Sequence, residues 1–386
     1  MAKTPLAWKN LTHDRRRLVL ASGGIGFAVL LVFIEIGFLY ALLDSTVQVI
    51  EVMDADLIIV SKALHSLPAQ QRFDRRRLYQ ARSCPGVATY PVYTETFYGI
   101  LKQHHAKGYP IRVIAFDPRD PVFRLPAVQG QLDELGQPAT ALFDVRSKPI
   151  FGLAVTDRLD AQRVELADQN IRLAGTFSLG TDFANEGNLI MSAKNFARYF
   201  PQRAFGADPL SMVDLGVVQL EAGLDRNEAK RCLQQLLPRD VNVFTKEEFI
   251  QRERIFWSTN TPVGYIFTVG AVMGFIVGVV ICYQVIYSDI ADHLAEFATL
   301  KAMGYRNSYF AGLVIVTSLY LSLLGFVPGA LISWGLYRWL AEYTGLAMSF
   351  TPLRGALVLL LTMAMCAVSG ALALRKLLSA DPAELF

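Results

Sequence analysis

The chain has 386 residues, of which 53% are hydrophobic and 18% charged, and its formal net charge is +3. Its basic residues are spread along the chain and gathered mainly at the ends of apolar stretches, so the composition gives no support to a nucleic-acid-binding protein. The hydrophobic share exceeds that of an average soluble protein only modestly, and what classifies the chain is where those residues lie.

Four apolar stretches are each longer than the roughly 20 residues that a helix needs to cross a bilayer. Hydrocarbon offers no hydrogen-bond partners, so each stretch is predicted to be helical. The predicted spans are residues 18–43, 262–287, 309–340 and 355–378. The sequence therefore predicts a membrane protein with four transmembrane α-helices, one plus three, and a large mixed α+β domain at 44–261 between helices 1 and 2.

The basic residues next to these spans predict the topology, because Lys and Arg flanking a span are retained in the cytoplasm. Basic residues precede the first span, occupy the loop between the second and third, and follow the fourth. They are Lys3, Lys9, Arg15, Arg16 and Arg17, then Lys301 and Arg306, then Arg375 and Lys376. We expect the tails 1–17 and 379–386 and the loop 288–308 to be cytoplasmic, and 44–261 and 341–354 to be periplasmic, in a bacterial inner membrane. The first span is too long for a signal peptide and is expected to remain as an anchor.

Short β-branched and aromatic runs between Gly, Pro and Asp predict strands in the domain at 44–261. They lie at 56–60, 89–101, 111–116, 171–177, 188–191, 215–221 and 242–244. Helical periodicity is found at 75–81, 194–199, 226–237 and 246–257. In the third of these, Ala229, Cys232, Leu233, Leu236 and Leu237 fall on one face.

Cys84 and Cys232 both lie in this domain, where an oxidising periplasm would permit a disulfide. Spacing alone does not show whether their Cα atoms lie within the roughly 7 Å that a disulfide needs, so the bond is a candidate only. Cys282 and Cys366 lie in predicted spans and are interpreted as small apolar residues.

The domain contains no recognisable catalytic motif. A Gly-x-Ser-x-Gly elbow, a His-Glu-x-x-His pair and a Gly-x4-Gly-Lys-Ser/Thr phosphate loop are all absent from the sequence. His104 and His105 lack a third ligand at metal-site spacing and are interpreted as turn residues. The sequence thus predicts no catalytic, metal or cofactor site, and no ATP hydrolysis by a phosphate loop in this chain.

In the second span, Gly270, Gly274 and Gly278 recur every fourth residue and so share one helical face. Such a face permits close helix packing, either within the subunit or across a dimer. In the first span, Glu35 stands among apolar residues, where a carboxylate is costly. Two interpretations of Glu35 remain open: contact with interfacial water, or a functional partner.

The loop after the second span has an amphipathic pattern from Ser288 to Met303. Ile290, Leu294 and Phe297 fall on one helical face, and Asp289, Asp292, Glu296 and Thr299 on the other. Lys301 departs from the pattern, and Gly304 before Tyr305 is a predicted helix stop. Such a helix can lie along the membrane surface or dock a cytoplasmic protein through its acidic stripe.

The sequence Glu-Phe-Ala-Thr-Leu-Lys-Ala-Met-Gly-Tyr at 296–305 resembles the coupling segment of the MacB/FtsX superfamily of ATP-binding-cassette (ABC) permeases, the type VII transporters. Further segments are similar to the DevC branch, in the same order along nearly the whole chain. They lie at 73–79, 86–87, 116–118, 175–181, 187–190, 195–201, 325–329 and 380–385.

This resemblance implies a homodimeric permease that relays ATPase motion to the periplasm by mechanotransmission. Its ATP and Mg would be bound by a separate cytoplasmic DevA-like ABC ATPase. A DevB-like periplasmic adaptor (membrane fusion protein), a TolC-like outer-membrane channel and a glycolipid or other lipid cargo would complete a tripartite efflux system. The coupling residues would be Asp289, Asp292, Glu296, Thr299, Lys301, Gly304 and Tyr305.

Three other classes are compatible with the sequence. An FtsX-like scaffold would signal to a periplasmic hydrolase, although such proteins usually have a smaller outer domain. A lipoprotein-releasing permease is an intermediate alternative. A membrane-anchored enzyme would require a pocket with strongly perturbed titratable groups.

Overall fold

The computed structural model describes residues 15–103, 107–153, 164–204, 208–292, 307–346 and 348–379, together with Thr299, Met303 and Tyr305. The chain forms two compact units. The helical unit contains residues 1–40, 262–340 and 348–386, and the α+β unit contains residues 41–261 and 341–347. The predicted fold class, one plus three apolar helices with an inserted α+β domain, is confirmed.

The helices, in chain order, are α1 (Arg15–Glu51), α2 (Arg76–Ala81), α3 (Pro126–Gln129), α4 (Leu132–Leu135), α5 (Ala193–Tyr199), α6 (Arg226–Leu236), α7 (Lys246–Thr259), α8 (Pro262–Asp292), α9 (Asn307–Thr344) and α10 (Pro352–Ser379). The strands are β1 (Leu57–Ser61), β2 (Phe73–Asp74), β3 (Val87–Glu95), β4 (Ile100–Gln103), β5 (Tyr109–Pro110), β6 (Arg112–Phe116), β7 (Thr140–Asp144), β8 (Val164–Leu166), β9 (Gln169–Phe177), β10 (Asn188–Ser192), β11 (Met212–Val213), β12 (Leu215–Leu220) and β13 (Val241–Thr245).

Four of these helices, α1, α8, α9 and α10, are long and apolar enough to cross a membrane. All four extend beyond the predicted spans, and α8, for example, continues past Tyr287 to Asp292. Helix α1 continues past Leu43 to Glu51, and α9 continues past Leu340 to Thr344. Pro328 lies inside α9, which continues beyond it to Thr344.

The α+β unit is built on a sheet in the order β13-β1-β12-β3-β6-β10-β7-β9-β8-β4-β5. Most neighbouring strands are antiparallel, but β6 pairs with β10, and β7 with β9, in parallel. Successive side chains of a strand point to opposite faces. Accordingly, Leu57 and Ile59 belong to one buried apolar cluster, and Ile58 and Val60 to a second. Both faces of this sheet are therefore covered.

Most predicted strands and helices of this unit are present within a few residues of the expected bounds. The single strand predicted at 89–101 is two strands, β3 and β4, because the Glu95 carboxylate accepts hydrogen bonds from the backbone N–H groups of Thr96, Phe97 and Tyr98 and so stabilises a turn. Ala229 and Leu233 on α6 and Leu237 directly after it are buried as predicted, but Leu236, the last residue of α6, is 44% exposed.

Candidate functional site

The predicted coupling loop is described in part. The backbone of Asp289 and Asp292 belongs to the end of α8, and Ile290 on the predicted apolar face is buried. Thr299 and Tyr305 are exposed, and the Tyr305 ring lies 4.8 Å from that of Tyr309. Glu296, Lys301 and Gly304 lie outside the described residues, so the ATPase-docking role of the loop stays a prediction.

The three glycines of α8 face other helices of the same chain. A Cβ on Gly278 would overlap the Met365 sulfur on α10 and lie 3.6 Å from the Ala28 Cβ on α1. A Cβ on Gly270 would lie 2.8 Å from the Glu35 carboxyl carbon on α1, whereas one on Gly274 would be 3.7 Å from the Glu35 Cγ, an ordinary contact. Within this chain, the glycine face thus seats α1 and α10, and Gly270 and Gly278 are its tightest positions.

Glycines also bring α1 and α9 together, a contact that was not predicted from the sequence. The ideal Cβ of Gly329 would lie 2.7 Å from the Gly26 carbonyl oxygen, and that of Gly325 would lie 3.2 Å from the Gly26 nitrogen. Gly325 and Gly329 are four residues apart, which is the spacing that already marked α8. About two turns further along the same two helices, the Tyr337 hydroxyl donates a hydrogen bond to the Phe33 carbonyl.

The α+β unit holds the end of α1 in its core. Residues Val47, Val49 and Ile50 are fully buried in one of its apolar clusters. The Lys246 amine on α7 donates to the carbonyl oxygens of Glu51 and Met53, at 2.8 and 2.7 Å. Burial lowers the pKa of Lys246. The last turns of α1 are thus a structural part of the α+β unit.

Helix α7 joins this packing through a buried carboxyl group. Glu253 is fully buried, and its Oε2 accepts a hydrogen bond from the Leu67 N–H at 3.1 Å. Burial raises the pKa of Glu253 to about 7, only partly opposed by that hydrogen bond. Helix α7 ends at Thr259, and α8 begins at Pro262.

The segment 341–347, which contains the last turn of α9 and the start of its connection to α10, is held by a third contact inside the α+β unit. The Thr181 hydroxyl donates to the Thr344 carbonyl at 3.3 Å. Gly345 has a φ of +71°, and a Cβ there would lie 2.8 Å from the Arg146 carbonyl oxygen. Only glycine fits this position without strain, because φ is positive and the neighbouring atom is backbone.

Thr181 is itself fixed by a buried polar network. Asp144 is fully buried and accepts hydrogen bonds from the Leu179 and Gly180 N–H groups and from the Asn188 amide. Asn188 accepts one from Arg112, whose guanidinium pairs with Asp182 at 2.6 Å. The network holds the loop that carries Thr181 in one conformation. Its members come from three parts of the chain, at Arg112, Asp144 and 179–188, and although 175–181 and 187–190 are among the DevC-like segments, nothing in the sequence linked them to Arg112 or Asp144.

In the α+β unit, Cys84 and Cys232 form a disulfide with a Cα–Cα distance of 6.2 Å, which joins the residues after α2 to helix α6. Its formation in a cell requires an oxidising compartment. Among the described residues, no group of three or more His, Cys, Asp or Glu side chains could hold a metal ion. His104 and His105 lie outside the described ranges.

Residues 267–382 match the family model for the FtsX-like permease C-terminal region. The match covers less than a third of the chain and includes all of α9 and α10 and most of α8. It supports the coarse class of an FtsX-like permease of the ABC transporter type. No curated protein matches the chain.

Three solved structures are similar to parts of the chain. The periplasmic region of MacB from Actinobacillus actinomycetemcomitans is 12% identical, with a TM-score of 0.36, covering 52% of this chain and 92% of that one. The extracellular domain of the noncanonic ABC-type transporter YknZ from Gram-positive bacteria is 13% identical, with a TM-score of 0.31, covering 50% and 99%. A domain of a putative permease protein from Porphyromonas gingivalis is 18% identical, with a TM-score of 0.28, covering 43% and 74%.

Proposed function

We propose that this chain is the permease subunit of an ATP-driven export system in a bacterial inner membrane, and that it transmits ATPase motion to its periplasmic α+β unit. The observation that carries the proposal is that the α+β unit contains both the end of α1 and residues 341–347, where α9 ends and its connection to α10 begins. Elements that carry motion between two compartments must be fixed to the part they move. The FtsX-like match over 267–382 agrees with this role.

In this proposal two copies of the chain associate, and a separate cytoplasmic ABC ATPase binds the loop 288–308. ATP and Mg belong to that partner. Closure of the ATPase dimer would push on the loop. The residues in contact with the ATPase would be Asp289, Asp292, Glu296, Thr299, Lys301, Gly304 and Tyr305. The glycine contacts of α8 with α1 and α10 would distribute it among the helices, because close backbone packing leaves little room for independent sliding.

The α+β unit would pass the movement to a periplasmic adaptor that leads to an outer-membrane channel, and the cargo would be a lipid or glycolipid. The Cys84–Cys232 disulfide supports the periplasmic placement, since oxidising compartments maintain such bonds.

The first experiment is purification of the tagged chain from its native membrane, followed by mass spectrometry. An ABC ATPase and a periplasmic adaptor are expected together with a lipid. A cell-wall hydrolase instead of the adaptor would favour the FtsX-like signalling alternative. Absence of an ATPase would contradict the proposal.

The second experiment separates ATP hydrolysis from transmission. Gly345→Val places a side chain against the Arg146 carbonyl and should weaken the attachment of residues 341–347 to the rest of the α+β unit. We expect normal ATPase binding but reduced lipid export. Gly223→Val is the matched control, because Gly223 also has a positive φ, +93°, but nothing lies within 4 Å of its Cβ position. Equal export in both variants would count against transmission through 341–347.

A further inference from the structure

Glu35 is a carboxylate placed where a membrane helix does not tolerate one without compensation. It lies eight residues before Leu43, about 12 Å from that end of the predicted span at the usual helical rise. Among the described residues, its carboxylate has no hydrogen-bond or ion-pair partner within this chain. An intramembrane acid in this situation is expected to meet a ligand, a proton or water.

Gly270 on α8 lies opposite Glu35 and leaves room for its side chain. The carboxyl carbon lies 2.8 Å from where a Cβ of Gly270 would be, and one carboxylate oxygen is closer still. Any side chain at 270 would occupy the space of the carboxylate. The glycine face of α8 therefore does more than pack backbone against backbone: at its first position it leaves room for a charged group.

The Glu35 carboxylate lies next to an exposed apolar surface of the helical unit. Glu35 is partly exposed, and α8 exposes apolar side chains along most of its surface, among them Ile266, Val269 and Met273. Next to this site, Phe38 stacks on Phe267 with ring centroids 5.6 Å apart. An apolar chain thus has surface to lie on within reach of a single acidic group.

We infer that Glu35, seated on Gly270, binds the headgroup of an amphiphile that carries an ammonium group or hydroxyl donors. An ionised carboxylate only accepts hydrogen bonds, so its ligand must supply N–H or O–H donors, and the apolar surroundings select a ligand with a hydrocarbon chain. The inference rests on the proposed lipid-export function and names the headgroup chemistry of its cargo.

The test measures binding of spin-labelled octadecylamine and octadecyl glucoside to the purified full chain in nanodiscs. Spin-labelled stearic acid and butylamine are the comparison probes, the first with an anionic headgroup and the second without a chain. Glu35→Gln should weaken binding of the amine about tenfold or more, because it removes a charge-assisted hydrogen bond. Glu342→Gln is the control for surface charge, since Glu342 is an exposed acid at the end of α9.

A second pair of variants tests the seat itself. Gly270→Ala pushes the carboxylate away and should also weaken amine binding, whereas Gly274→Ala makes only an ordinary contact with Glu35 and should not. The carboxylate is the end of a flexible side chain, so Gly270→Ala is expected to fold.

Unchanged amine and glucoside binding in Glu35→Gln would overturn the inference, as would equal binding of stearic acid, or a response confined to proton uptake without any amphiphile. The binding assay needs no ATPase. It can therefore fail while the ATPase and adaptor still co-purify, and a failure of the inference is distinguishable from a failure of the proposed function.

Discussion

In the α+β unit, the buried arginines Arg112 and Arg203 are paired with carboxylates and both faces of the sheet are covered, whereas the helical unit lacks buried ion pairs among its described residues and exposes much of its apolar surface. Arg203 and Asp214, both almost fully buried, pair at 2.5 Å in the first. In the second, buried hydroxyls such as Ser318, Ser333 and Thr362 bond to carbonyls of their own helices. Of the 18 consecutive residues that form the most apolar part of α8, only 17% are buried inside the protein.

This difference shows that the two units depend on different surroundings. The α+β unit satisfies its polar groups and apolar faces largely by itself. The helical unit is held by close glycine contacts and leaves an apolar surface that lipid or a second copy must cover. Breaking buried ion pairs should therefore destabilise the first unit, and changes in side-chain size should disturb the second.

The largest effect is expected from Arg203→Met, which removes the buried cation that pairs with Asp214 and the fully buried Glu95 and leaves them only the partly exposed Arg72, at 3.4 Å from each. Breaking a buried pair typically costs about 3–5 kcal/mol. Chemical unfolding of the full chain in detergent measures it. Arg119→Met is the control, because Arg119 pairs with Asp117 at the exposed surface, where about 0–1 kcal/mol is expected. Equal losses would contradict the comparison.

Removing the disulfide by Cys84→Ser together with Cys232→Ser should cost about 2–4 kcal/mol, because the bond closes a long loop and restricts the unfolded chain. The measurement is unfolding of the full chain with and without a reducing agent. The reductant should destabilise only the wild-type chain. A wild-type chain that is insensitive to reductant would show that this bond is absent in solution.

Glu253→Gln should change how stability depends on pH. The folded pKa, about 7, exceeds the ordinary value of 4.5, so the folded state binds more protons between these values and its stability falls as pH rises through that window. At pH 8 the variant should exceed the wild type by up to about 3 kcal/mol, and at pH 4 this contribution should vanish. Parallel stability curves for the two proteins would rule out a buried titrating Glu253.

The smallest of these effects on unfolding is expected from Gly278→Leu, about 1–3 kcal/mol, because overpacking moves neighbouring groups instead of leaving a charge unpaired. Its new side chain meets Met365 on α10. Thermal stability in nanodiscs is the readout, and Gly312→Leu on α9, where nothing lies within 4 Å of the Cβ position, is the control. Equal thermal stability of the two variants would contradict tight packing at Gly278.

Hydrophobic periodicity correctly predicted the helices and strands whose apolar pattern lies within one short stretch of sequence. The four apolar helices and strands such as β1, β6 and β10 follow from runs of apolar and β-branched residues. The buried strand β7 was missed, because Thr140–Asp144 is short and surrounded by loop-forming residues. The glycine face of α8 was visible as a spacing, but its partners were not, since Glu35, Ala28 and Met365 come together only in the fold.

The contacts that hold 341–347 could not be predicted at all. Arg112, Asp144 and the pair Asp182 and Asn188 are separated by about 30 or more residues of chain and share no common motif. Tertiary structure alone brings them to Thr181 and Gly345. A sequence can indicate that Gly345 follows a helix, but not that an Arg146 carbonyl fills the space beside it.

The central claim, that this chain converts a cytoplasmic ATPase stroke into movement of its α+β unit, is tested most directly by a distance measurement. Asp133, an exposed residue of α4, would be replaced by a spin-labelled cysteine (Asp133→Cys), and the distance between the labels of two copies would be measured in nanodiscs with the partner ATPase. The account predicts a change in this distance when ATP is trapped with vanadate, and none without the ATPase. A distance unchanged by trapping, in a preparation that hydrolyses ATP, would contradict it.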